Sequence, residues 1–459
     1  MTSRDIVESA SVPGSPQPSQ IPAKAPAGSG ARLAWLDVLR GLAAVAVLVD
    51  HGGYVVLHGV RNQIYHWFDP GNYGVFVFFI ISGYIVPASL ERKGSVRTFW
   101  VSRLFRLYPL YLLAVGMAVA LYFAHFGSVR GEDADPETSI LSQLLMMSNV
   151  LEGKNLPNVV WSLSYEMVFY LLLTALFIAR AHKRSSWYAL GFAATAVAVG
   201  GVLPQAFLTN NVATPRLIAL VADLVVIAGL AFAVVLRGVS RLMGAAMAAV
   251  IAIALLAFNG GWIWPWEALS ILALMFTGTM FYRAEQGQYP WRRAIAIGVA
   301  VLVLAIVAGL WHSRAWGMDA RSELLWSRRW VSAFLLAGLT FAAGLAFRHV
   351  RWPRALTWLG LISYSLYLLH PLVIEIYHHY HWTRHYHPMW LQALLAAGIF
   401  AVLVALSSVT YLLVERPMQS VGRRVGRWFD LHFGHDRIPD TVPVTPAPAM
   451  AGRGQPAAD

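Results

Sequence analysis

The chain has 459 residues, 58% of them hydrophobic and only 13% charged, against ~45–50% and ~25% in soluble domains, so one soluble core cannot hide its apolar surface. Lys and Arg exceed Asp and Glu by 12, but mean hydropathy is positive; such basicity belongs at membrane edges and argues against a nucleic-acid partner. Cys is absent, which excludes disulfides, thiolate metal sites and a Cys nucleophile.

Residues 1–32 are rich in Pro, Ser, Ala and Gly and contain no apolar run of signal-peptide length; they read as a disordered cytoplasmic tail. The stretch 421–459, basic and then Pro/Ala-rich, reads as a second tail. Between them, 33–420 reads as one membrane domain. Apolar runs of about 17–25 residues, enough to cross ~30 Å of hydrocarbon, are expected at 36–57, 72–90, 107–126, 161–180, 187–204, 216–236, 242–258, 266–282, 294–311, 331–347, 358–378 and 390–414. They are continuous and lack the alternation of a β-barrel. The fold class is therefore all-α, a polytopic membrane bundle of about 10–12 transmembrane helices. With the N-terminus in the cytoplasm, twelve spans place 25 Lys and Arg inside and nine outside, the bias of a multi-pass protein of the cell inner membrane. Four of the outer nine, Arg314, Arg321, Arg328 and Arg329, crowd one loop.

The first span reads WLDVLRGLAAVAVLVDHGGYVVL. Asp37, Arg40, Asp50 and His51 each cost at least ~2.5 kcal/mol if central, so they should face the bundle interior or a wet cavity. Arg40 and His51 are eleven positions apart, three helical turns, which puts them on one face about 16 Å apart. Asp37 lies near the same face and can hold the guanidinium. Asp37 and Arg40 also fit snorkelling at the inner interface. His51 lies deeper along the run, titrates near neutrality, and is the candidate general base or acid.

The second span carries Ser82 and Gly83 amid aromatics, a pattern of close helix packing. Arg103 and Arg106 share a face just before Pro109, where interfacial anchoring and a phosphate-rich ligand explain them equally. The fourth span opens WSLSYEMVFY. It buries Glu166 beside Tyr165 towards the outer side, with His51 as a candidate partner. The eleventh places Tyr367 and His370 on one face after Ser363 and Tyr364. His378, His379, His381, His385 and His387 crowd the loop that follows, but their spacing matches no zinc motif, and no metal is expected.

Together these motifs resemble membrane acyltransferase family 3, integral-membrane enzymes that decorate envelope sugars and some secondary metabolites. The most specific element is LDVLRGLAAVAVLVDH, with the family's Arg, ten residues, His arrangement as Arg40 and His51. FFIISGY at 78–84, RLFRLYPLY at 103–111, WSLSYEMVFY at 161–170, SYSLYLLHPL at 363–372 and YLLVERP at 411–417 follow in family order. The resemblance implies transfer of an acyl group, usually acetyl, from cytoplasmic acyl-CoA as co-substrate to a hydroxyl of a glycan or lipid-linked saccharide, with no bound cofactor. It makes His51 the catalytic histidine and Arg40 its companion. Arg103 and Arg106 become the basic pair that meets the donor, and Glu166 the acidic position of the Trp-Ser-Leu motif. Some members carry a fused esterase-like domain; with no Gly-Asp-Ser motif here, the chain is expected to act alone or to pass the acyl group to a separate envelope biosynthesis protein. The family core has about ten helices, which places the uncertainty in helix number between about 187 and 347.

On this reading His51 takes the acceptor's proton, and a carboxylate, Glu166, Asp50 or Asp37, stabilises the imidazolium. The competing class is a proton-coupled carrier. Against it, the second half of the chain does not repeat the motifs of the first.

Overall fold

The computed structural model describes residues 29–126, 135–313, 319–380 and 388–434, and among them the regular structure is helical, with no strand. The early helices are α1 (Ser29–Val55), α2 (His58–Tyr65), α3 (Pro70–Lys93), α4 (Val96–Phe123), α5 (Pro136–Leu144) and α6 (Trp161–Ile178). The middle of the chain forms α7 (Ser185–Val199), α8 (Phe207–Asn211), α9 (Pro215–Val235), α10 (Gly238–Phe258), α11 (Pro265–Glu285), α12 (Trp291–His312) and α13 (Ala320–Ala346). Then come α14 (Arg354–Leu361), α15 (Ser363–His379) and α16 (Met389–Thr410), a π-helical turn (Tyr411–Glu415) and α17 (Arg416–Phe433). Nine helices among the described residues are long and apolar enough to span a membrane, or ten if the bent pair α14–α15 is one span. Each of the twelve expected spans coincides with a helix. Two fall outside that group: α7, which is short, and α11, which is buried along most of its length.

Local sequence sets the boundaries that matter for the site. Asp69 caps α3 by accepting from the Asn72 backbone N–H at 2.8 Å, with Pro70 in the first turn. The helix stops at Gly94, whose φ of 63° is costly for any residue with a Cβ. Ser95 then caps α4, accepting from Thr98 N–H at 3.1 Å. Three boundaries differ from expectation. The helix expected at 107–126 begins at Val96, so Arg103 and Arg106 lie within α4. The span expected at 358–378 is bent by 68° between α14 and α15. The basic stretch beyond 420 is helical to Phe433 and packs on α4.

The interior centres on α3 and α11, which cross through glycines. A Cβ on Gly83 would lie 1.8 Å from the Met275 carbonyl oxygen, and one on Gly278 would lie 2.2 Å from that of Ile80. Thr279 Oγ1 donates to the Gly83 carbonyl at 2.8 Å across the same contact. Backbone cannot yield as a side chain can, so Gly83→Ala is expected to destabilise the bundle by about 3 kcal/mol or more. Thermal unfolding in detergent checks this; a variant that melts with the wild type would show that the two helices do not touch there. Gly360 plays the same part between α14 and α1, its Cβ position lying 1.9 Å from the Asp37 carbonyl oxygen. Outward-facing Leu224, Val250, Val299, Leu339 and Val402 are exposed, as lipid-facing residues are. Trp67, Trp187, Trp311 and Trp390 are exposed as well, in keeping with interfacial belts.

Candidate active site

Two polar clusters lie along one line through the bundle, and α1 and α15 contribute to both. The first is a cavity between α1, α3, α4, α6 and α15. Arg40, Arg103 and Arg106 line it with one carboxylate, Glu166, and with Ser82, Tyr170, Ser162, Ser363, Tyr364 and Tyr367. Arg103 is 6% exposed and lies over the rings of Phe99 and Tyr170, each 5.4 Å from its guanidinium carbon. Its Nε has no hydrogen-bond partner. Among the described residues, Arg40 and Arg106 make no hydrogen bond or close ion pair. Three guanidiniums with unmet donors facing one cavity call for an anionic ligand.

The carboxylates around this cavity hold fixed places. Glu166 Oε1 accepts from Ser82 Oγ at 3.0 Å and from the Tyr170 hydroxyl at 2.5 Å. It therefore belongs to the arginine cluster and is not the partner of His51. Asp37 sits within electrostatic reach of Arg40 and Arg106; it is outside the cavity lining and holds no guanidinium in a close pair. The sequence reasoning assigned no role to Glu415. It is 3% exposed, accepts from Ser365 Oγ, and lies within electrostatic reach of Arg106 and Arg40. The π-helical turn ends on Glu415, and such widened turns frequently mark functional sites. The YLLVERP motif was the only signal for it.

The second cluster is a histidine pair. His51 Nδ1 and His370 Nε2 are 2.7 Å apart, and their rings stack at 5.0 Å with planes 17° apart. His370 is fully buried, and its Nδ1 lies 3.1 Å from the Leu366 carbonyl oxygen one turn earlier. A carbonyl only accepts, so Nδ1 of His370 carries the proton, and neutral His370 presents a lone pair at Nε2. His51 then donates through Nδ1–H, and the lone pair of neutral His51 is at Nε2. The partner of His51 expected among Glu166, Asp50 and Asp37 is thus replaced by a histidine; Asp50 is instead 3.4 Å from Arg61.

Phe78 and Tyr367 stand between the two clusters. Both line the cavity, their rings meet edge to face at 5.7 Å, and the Tyr367 ring lies 6.1 Å from that of His370. Tyr367 is held by Ser162 Oγ at 2.8 Å and donates to the Val159 carbonyl at 2.9 Å. Ser363, Tyr367 and His370 recur at helical spacing on α15, one continuous face from cavity to histidine pair. Tyr165 lies outside this line: its hydroxyl accepts from Asn149 Nδ2 at 2.8 Å and braces the loop before α6. Of the histidine-rich stretch, His378 and His379 end α15, whereas His381, His385 and His387 lie outside the described residues, as does Arg314.

Comparison with known proteins gives a family and partial relatives. A family model described as an acyltransferase domain matches residues 33–412. The chain is similar to the acyltransferase MdmB of Streptomyces mycarofaciens, 31% identical over 185 residues, which cover 38% of this chain and 47% of that protein. It is also similar to the peptidoglycan O-acetyltransferase OatA of Listeria monocytogenes, 28% identical over 155 residues, 30% of this chain and 23% of that protein. The matched stretch therefore spans less than half the length of either relative. No solved structure matches significantly.

Proposed function

The chain belongs to the membrane acyltransferase family whose domain matches residues 33–412, and on that premise we propose that it moves an acyl group, acetyl in the simplest case, from acyl-CoA to a hydroxyl of a cell-envelope saccharide or lipid-linked glycan. The observation that carries this reading is the histidine pair. A buried His370, itself anchored on Leu366, orients His51 so that its basic nitrogen is Nε2. The acceptor hydroxyl loses its proton to His51 Nε2 as its oxygen attacks the thioester carbonyl. The tetrahedral intermediate collapses, the carbon–sulfur bond breaks, and the CoA thiolate takes that proton back. His370 Nε2 accepts from the imidazolium at Nδ1 while the charge is present.

The basic cavity supports the donor half of the reading. Its guanidiniums suit the phosphates of CoA, and an extended pantetheine arm crosses the gap of about 16 Å from Arg40 to His51. The excess of Lys and Arg supports an inner-membrane orientation with the basic end and the N-terminus in the cytoplasm, where acyl-CoA is made. No resident cofactor enters this chemistry. Arg40→Leu is expected to weaken use of acetyl-CoA by about 10-fold or more in kcat/KM; initial rates over a donor concentration series check this, and wild-type values would remove Arg40 from the site.

Mass spectrometry of envelope glycans and lipids, from cells with the wild-type protein, with His51→Ala and with neither, tests the reading and finds the acceptor. An acetyl-sized mass gain that depends on His51 is the expected result. Identical extracts together with altered solute flux would favour a carrier.

A further inference from the structure

We propose that a second cleft, between α17 and the turn joining α3 to α4, binds the phosphorylated nucleotide end of the acyl-CoA donor. This rests on the reading of the arginine-lined cavity as the site of the acyl-pantetheine arm. The cleft is lined by Lys93, Ser102, Arg423, Arg424, Arg427 and Asp430. Four cations thus face one carboxylate. Arg423 donates to Ser420 at 2.7 Å, while Arg424 and Arg427 make no hydrogen bond or close ion pair among the described residues.

Packing explains why the arginines stand there. Gly422 and Gly426, one turn apart, form the face of α17 that lies on α4. A Cβ on Gly422 would come within 2.7 Å of Phe105 Cβ, and one on Gly426 would sit 3.9 Å from Thr98 Cγ2. The glycines let the helices approach, so the arginines that flank them project along the seam.

The cleft also lies near the cavity. Lys93 donates to Ser102 Oγ, which precedes Arg103 in sequence, and it lies within electrostatic reach of Arg103 and Arg106. At its other end α17 begins next to Glu415, already placed against Arg40 and Arg106. Cations therefore recur from α17 through Lys93 to the arginines of the cavity. Acyl-CoA has the matching polarity: an uncharged pantetheine arm at the thioester and three phosphates at the nucleotide, one of them the ribose 3′-phosphate that dephospho-CoA lacks.

The test uses the full-length protein in nanodiscs of purely zwitterionic lipid, with acetyl-CoA, acetyl-dephospho-CoA and acetyl-pantetheine as donors. Wild type is expected to prefer them in that order. The triple variant Arg423→Gln, Arg424→Gln, Arg427→Gln should raise KM for acetyl-CoA about 10- to 100-fold and abolish its advantage over acetyl-dephospho-CoA. Asp430→Asn, which leaves every cation in place, should lower that KM. A triple variant that keeps the wild-type preference, or one whose defect requires anionic lipid in the disc, would make the cleft a lipid contact and overturn the proposal. Equal wild-type use of all three donors would overturn it while leaving acyl transfer intact; no use of any of them would remove the function as well.

Discussion

Replacing His51 by alanine is expected to reduce acyl transfer by about 10²- to 10⁴-fold, the usual contribution of a positioned general base, while the protein still inserts and folds. The imidazole is only half-buried, and a single intramolecular hydrogen bond such as that to His370 contributes about 0.5–1.5 kcal/mol net. The loss should therefore appear in kcat, with KM for acetyl-CoA little changed, because the proposed place of the donor's phosphates is the arginine end of the site. Thermal unfolding of the purified variant separates chemistry from folding. Near-wild-type kcat in a well-folded His51→Ala protein would exclude the imidazole as the base.

His370 should matter almost as much although it is not expected to touch substrate. It is a positioning residue: its fixed lone pair selects the tautomer of His51 and holds the ring. His370→Leu fills much of the space but removes the acceptor, and is expected to lower kcat by about 10²-fold through loss of that orientation. His370→Gln offers an amide oxygen that can accept from His51 Nδ1–H, and should recover a large part of the loss. A merely structural histidine predicts the reverse order, because the apolar residue suits a fully buried site better than an amide with one group unmet. The two variants, compared by kcat and by unfolding midpoint, distinguish these cases.

Much of the membrane bundle was legible in the sequence because hydrophobic length is a local property. Every expected span meets a helix, and the Arg40-to-His51 spacing put two candidate site residues on one face of α1. Contacts between helices were not legible in the same way. His51 and His370 are 319 positions apart, and helical periodicity says which face a residue occupies but not which helix it meets. Nearby carboxylates were therefore considered as partners of His51, whereas Glu166 is taken by Ser82 and Tyr170 and Asp50 faces Arg61. Arg103 and Arg106 were compatible with interfacial anchoring because the apolar run of that span begins only at 107. In the structure α4 runs through Pro109 from Val96 and carries both arginines to the cavity. The bend before Ser363 and the π-helical turn before Arg416 are backbone irregularities with no periodic signature, and they are what bring Ser363 and Glu415 to the site.

Acyl transfer from CoA by way of the His51–His370 pair is the proposed chemistry of this bundle. It is tested most directly by incubating the purified protein in nanodiscs with isotope-labelled acetyl-CoA and envelope glycan extract, and following both free CoA and labelled ester. The expected result is stoichiometric release of CoA and formation of labelled ester, abolished by His51→Ala and partly retained by His370→Gln. Labelled ester formed equally well by His51→Ala, or no CoA release by folded wild-type protein with any hydroxyl acceptor in the extract, would contradict it.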